Sequence, residues 1–135
     1  MDNFARNALA PLVLRLGLAV VFVYNGMGKL GPEKEWGTKW APPEMDLPAA
    51  VQAPVAWGEF IGGIALGIGF LVRVAALGLI AIMAGAIVKV SGPNGFSILH
   101  GGYEYNFVLI VALSALVLSG SGMLGLDHWL VPRRR

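Results

Sequence analysis

Lys29, Glu59 and Glu104 are the residues whose types and positions can do chemistry, because each lies near or inside a long apolar run. An ammonium and two carboxylates gathered in greasy surroundings have two uses. They can neutralise one another as an ion-paired staple that fixes helix order, or they can hold the polar head of a ligand and exchange a proton with it. Both readings stay open at this point. Tyr24 and Asn25 lie within two helical turns of Lys29, Tyr105 and Asn106 follow Glu104, and His100 precedes it. Gly62 and Gly63 adjoin Glu59, where small residues allow either close helix packing or a slot for a flat ring. The candidate proton-exchanging residues are therefore Lys29, Glu59 and Glu104. The candidate ligand-binding set is Tyr24, Asn25, Lys29, Glu59, Gly62, Gly63, Glu104 and Asn106. A second group, Arg15, Arg73 and Asp127, has the residue types for guanidinium–carboxylate bonds that fasten the C-terminal segment beneath the bundle.

Other chemistries find little support. The chain has no cysteine, which removes disulfides, thiol relays and thiolate metal sites. His100 and His128 fall in different layers, against a bis-histidine haem, and no Glu-x-x-His pattern supports a metal set with Glu59 and Glu104. The glycines from Gly58 to Gly69 sit in an apolar helix, not in a phosphate loop after a strand. The net charge is +2, and three of the ten basic residues are Arg133, Arg134 and Arg135 at the C-terminus. That cluster reads as an anchor on an anionic membrane face, not as a nucleic-acid surface.

Lipid is the solvent that these residues imply. Hydrophobic residues make up 56% of the 135 and charged ones 13%, too few to cover the large relative surface of so small a soluble domain. Four apolar stretches have about the length of a membrane crossing: residues 9–30, 51–72, 74–90 and 103–118. They predict an all-α fold, a four-helix antiparallel transmembrane bundle forming one domain over 1–135. An outer loop over 31–50, with Trp36 and Trp40 at the headgroup layer, and an interfacial C-terminal segment over 124–135 complete it. Arg6, Arg15, Arg73 and the terminal arginines fall on one side, and Lys29, Lys34, Lys39 and Lys89 on the other. The bias places both termini in the cytoplasm of a cell whose inner membrane the chain crosses. In this arrangement Lys29, Glu59 and Glu104 share the outer half, with Glu59 about 12 Å below the outer end of its helix. The pairs Gly58/Gly62 and Gly63/Gly67 on the second helix, and Ala81/Gly85 on the third, have the spacing of close helix contacts.

The order and spacing of several segments resemble the DoxX family of small bacterial and archaeal membrane proteins, over about Leu12 to Asp127. They are Arg15, Gly26-Met27-Gly28-Lys29, Glu59-Phe60-Ile61-Gly62-Gly63, Gly69-Phe70-Leu71-Val72-Arg73, Gly102-Tyr103-Glu104-Tyr105-Asn106, and Ser119-Gly120-Ser121-Gly122 leading to Asp127. The resemblance implies a four-helix integral membrane protein. It also implies a link to quinone chemistry, since the family takes its name from a subunit associated with thiosulfate:quinone oxidoreductase.

Three functions compete from here. The first is a redox-associated subunit that binds a quinone or similar lipophile, with the ring near Glu59 and with Lys29 and Glu104 at the head group. It would be an accessory to a membrane oxidoreductase, with no intrinsic cofactor and with electrons from another protein. The second is a noncatalytic assembly or scaffold subunit. The third, the weakest, is a small carrier or proton-coupled transporter. The expected partners are membrane lipid, a redox protein or larger membrane complex, and further copies of the chain.

Overall fold

The computed structural model describes residues 5–42, 46–97, 99, 102–122 and 125–127. Its architecture is all-α, with no strand among these residues. Four α-helices carry it: α1 (Ala10–Lys29), α2 (Ala49–Ile68), α3 (Val72–Ala86) and α4 (Glu104–Ser119). A π-helical turn, Ala5–Leu9, leads into α1, and another, Ile87–Ser91, continues α3. The most extensive contact is between α1 and α2; α3 packs against α4 and α2, and a thinner α1–α4 contact closes the ring.

Helical periodicity explains which face of each helix turns inward. On α1 the buried residues are Pro11, Arg15, Leu18, Phe22 and Gly26, and on α2 they are Gln52, Ala56, Glu59, Gly63 and Leu66. Steps of three and four keep each set on one stripe. The core between the helices is Leu18, Phe22, Leu66, Val72, Ala76, Leu79, Met83, Leu109, Leu113 and Leu116. The opposite faces are apolar as well: Val13, Val20, Ile61, Val74, Leu77, Val111 and Leu118 are all exposed. Water would penalise such a surface, whereas acyl chains do not. The stretches Asn7–Lys29, Ala49–Ile68 and Val72–Lys89 are long and apolar enough to cross a membrane. Helix α4, at 16 residues, is shorter.

Glycine arithmetic sets the packing. Gly58 and Gly62 face α3, where added β-carbons would meet Ile82 Cδ1 at 2.9 Å and Leu79 Cγ at 3.1 Å. Gly63 and Gly67 lie about 100° round the helix and face α1, near Val23 and Ala19. Gly26 of α1 answers them: a β-carbon there would lie 2.6 Å from the Phe60 backbone nitrogen. The two pairs thus serve two neighbours. The third pair, Ala81/Gly85, departs from expectation. A β-carbon on Gly85 would meet nothing within 4 Å, so this spacing leaves space instead of filling it.

Helix ends also differ from the pattern-based boundaries. α2 stops at Ile68, four residues before the expected end. Gly69 adopts φ 78°, and Phe70 N–H closes back onto the Ala65 carbonyl at 2.9 Å, a glycine C-terminal cap. α3 begins at Val72 because a remote carboxylate, Asp127, caps its first amides: Leu71 and Val72 N–H donate to Oδ1 and Oδ2 at 2.6 and 2.9 Å. The connection is therefore Gly69-Phe70-Leu71, and Leu71 is held at φ 50°. Of the C-terminal segment 124–135, residues 125–127 are described, while Arg133, Arg134, Arg135 and His128 lie outside the described residues, as does His100.

Candidate functional site

The last two turns of α1, the first half of α2, the end of α3 and the start of α4 meet at one end of the bundle, beneath residues 31–42 and 46–48 of the connection. There they border a partly open cavity of about 730 Å³. Most of its wall is apolar: Leu47, Val51, Pro54, Val55, Ala81, Ile82 and Ala86. Its polar groups are Asn25, Lys29, Glu59, Lys89, Tyr105 and Asn106.

Glu59 is 1% exposed, in the middle of the buried stripe of α2. Its Oε1 accepts a hydrogen bond from Lys29 Nζ, and the two form an ion pair. An ionised carboxylate so deeply buried requires such a partner. Lys29 is held on a second side by Trp40, whose ring centroid is 4.5 Å from Nζ, a cation–π contact. Around this pair, Asn25 Nδ2 donates to the Tyr105 hydroxyl at 2.9 Å and Asn106 Nδ2 contacts Met83 Sδ at 3.4 Å. Apolar walls with a small polar pole are the surroundings that a lipophile with a hydrogen-bonding head requires.

Of the expected ligand-binding set, Asn25, Lys29, Glu59 and Asn106 line the cavity. Four members do not. Tyr24 is 78% exposed and points away from the bundle. Gly62 and Gly63 are taken up by helix contacts with α3 and α1. Glu104 opens α4 as its first residue, outside the cavity wall. The trio of Lys29, Glu59 and Glu104 thus becomes a pair at the cavity.

Three further residues matter here. Trp40 was expected, like Trp36, to lie at the headgroup layer, and Trp36 is 61% exposed. Instead it folds over the cavity, its Nε1 donating to the Gln52 carbonyl at 2.8 Å. Gln52 is 7% exposed, and its amide ties both sides of the connection to α2. Ala41 N–H donates to its Oε1 at 2.9 Å, and its Nε2 donates to the Leu47 carbonyl at 2.6 Å. A polar residue seven positions before Glu59 was the available signal, since that spacing returns to the same helix face. Lys89, in the π-helical turn that continues α3, completes the wall on the exposed side.

At the opposite end, Arg15, Arg73 and Asp127 act structurally, but with backbone partners in place of the expected mutual bonds. Arg15, 1% exposed, donates from Nη1 to the Leu66 and Gly67 carbonyls at 3.2 and 3.3 Å. Arg73 Nε donates to the Val117 carbonyl at 2.9 Å. The reason is that helix ends leave carbonyls unsatisfied, and these two guanidiniums lie where α2 and α4 end. Asp127 offers Arg15 an opposite charge nearby while capping α3.

Comparison with known proteins gives two curated relatives. One is an uncharacterised Haemophilus influenzae protein, 30% identical over 130 residues, covering 90% of this chain and 83% of the relative. The other, from Bacillus subtilis, is named "Putative oxidoreductase CatD" and is 28% identical over 120 residues, covering 88% of this chain and 85% of that protein. No solved structure matches. The DoxX family profile matches residues 10–92, a stretch that runs from the start of α1 through Arg15, Lys29, Glu59 and the Gly69–Arg73 corner. This membrane protein belongs to the DoxX family.

Proposed function

We propose that this chain is a redox-associated membrane subunit that binds a quinone or similar lipophile in the cavity between α1, α2, α3 and α4. It crosses the inner membrane four times with both termini cytoplasmic, so that the cavity lies in the outer half. The observation that carries the reading is the pairing of a buried Glu59–Lys29 couple with an otherwise apolar cavity wall. The oxidoreductase name of the Bacillus subtilis relative supports the redox assignment. A ring fits between the aliphatic walls, with Lys29 donating to a carbonyl oxygen of the head and Glu59 accepting from a hydroxyl of the reduced form. Asn25 and Asn106 supply further hydrogen bonds. A quinone would bring the electron-accepting chemistry; the chain's own residues orient it, hold a proton at the Glu59 carboxyl and keep water out. The electron donor is a separate protein.

The test is a titration of purified protein with an untailed benzoquinone. Glu59→Gln preserves shape and removes the charge, and it weakens binding by about tenfold or more, the scale of one charge-assisted hydrogen bond. Equal affinity in the two proteins overturns the site. A second reading, a noncatalytic assembly subunit, is favoured by the fact that the ion pair closes on itself. It predicts a stoichiometric membrane partner whose removal destabilises the chain, with no quinone binding at all.

A further inference from the structure

The cavity is not closed on all sides. Towards the loop end it lies beneath Trp40 and Leu47, both tied to α2 through Gln52. Deeper in the bundle, α2 and α3 touch at Gly58 with Ile82 and at Gly62 with Leu79. Between these two closures the helices separate. Pro54, which lacks an N–H and strains a helix interior, is exposed on α2. Across from it Gly85 is exposed on α3, and a β-carbon there would meet nothing within 4 Å; Ala81, one turn deeper, is exposed as well. Val51, Pro54, Ala81 and Gly85 all line the cavity and all face outward. Ala50, Lys89 and Tyr105 are exposed lining residues as well, so the cavity is open, and its apolar side is a lateral slot between α2 and α3. Its inner end is the Glu59–Lys29 pair.

From this geometry we infer that the slot holds a hydrocarbon tail, so the ligand is a tailed membrane lipophile and not a detached small molecule. Its head sits at Glu59 and Lys29, and its chain leaves past Gly85 into the lipid. Gly85 is then a specificity-determining residue: the missing side chain is the width through which the tail passes. The inference rests on the proposed reading of the cavity and names the ligand class for it.

Gly78 supplies a matched control. It lies on the same helix, is exposed, and likewise has nothing within 4 Å of an added β-carbon, but it does not line the cavity. The experiment measures, by equilibrium dialysis in one detergent, the binding of an untailed benzoquinone and of the same ring with a decyl tail. Wild type, Gly85→Leu and Gly78→Leu are compared, so that partition of the tail into micelles cancels between proteins. Filling the slot uncovers at least two methylenes, which corresponds to about tenfold in affinity. Gly85→Leu should lose that much for the decyl compound and keep wild-type affinity for the untailed ring, which also shows that it is folded. Gly78→Leu should bind both as the wild type does. Equal affinity for the decyl compound in wild type and Gly85→Leu overturns the inference and leaves the slot to bilayer lipid, while the head-group site stands. Failure of both quinones to bind the wild type overturns the reading of the site itself, and the inference with it.

Discussion

Charge is used differently at the two ends of this bundle. Near the Gly69–Leu71 turn, Arg15, Arg73 and Asp127 each hydrogen-bond to backbone groups at a helix terminus, on α2, α4 and α3 respectively. Near the 31–48 connection, Glu59 and Lys29 bond to each other beside about 730 Å³ of cavity. Backbone groups at a helix end demand partners whatever the protein does, because lipid offers none. A carboxylate in mid-helix answers no such demand. The first arrangement is what the fold requires, and the second is what it could do without. Mutations should therefore separate stability at one end from binding at the other.

The sharpest break is Arg15→Ala. It removes a charged donor from the Leu66 and Gly67 carbonyls and leaves a void at a position that is 1% exposed. Hydrogen bonds to charged groups contribute about 1.5–3 kcal/mol, and an emptied buried site adds to the loss. Unfolding in detergent should show a loss of about 3 kcal/mol, the largest single effect. A loss below about 1 kcal/mol would mean that the terminal end is not held by this residue.

Next comes Gly26→Ala. The new β-carbon would sit 2.6 Å from the Phe60 nitrogen and 2.7 Å from its Cα. Helix backbone cannot step aside as a side chain can, so α1 must shift from α2, at about 2 kcal/mol for such overpacking. Gly28→Ala is the control on the same helix: nothing lies within 4 Å, and replacing a helical glycine should leave stability unchanged or raise it by about 0.5–1 kcal/mol. Asp127→Ala should be milder still, at about 1 kcal/mol, the usual scale of a lost N-terminal cap. Faster amide exchange at Leu71 and Val72 would locate the damage.

How far these contrasts can be read from the chain follows from their physical origin. The inward faces are legible, because steps of three and four put Arg15 in line with Leu18 and Phe22, and Glu59 in line with Ala56 and Gly63. That the glycine pairs face two neighbours also follows from the one-residue offset between them. The partners of Arg15 and Arg73 do not: a backbone carbonyl carries no side-chain label, so an arginine bonded to one looks like an arginine in search of a carboxylate. Trp40 is hidden for another reason. Its position depends on Glu35, Trp36 and Gly37, three successive residues with positive φ, and on Gln52 gripping the connection from below. Proline and tryptophan content predicts an irregular segment, not the direction in which it folds. The cavity is least legible of all, since Ala81 and Gly85 have the spacing of a packed interface and are exposed instead.

The smallest stability effect carries the most functional weight. Lys29→Met together with Glu59→Leu replaces an ion pair by apolar groups of similar size. Breaking one partner alone strands a buried charge, but replacing both removes the desolvation cost along with the attraction, and such exchanges are often neutral or stabilising. The double variant should stay within about 1 kcal/mol of wild type in detergent unfolding while losing quinone binding altogether. Lys29→Met alone should be less stable than the double variant, because Glu59, 1% exposed, would then lack its cation. If instead the double variant unfolds as readily as Arg15→Ala, the pair is a staple like its counterparts at the other end. The contrast between the two ends would then disappear, since charge would be structural at both.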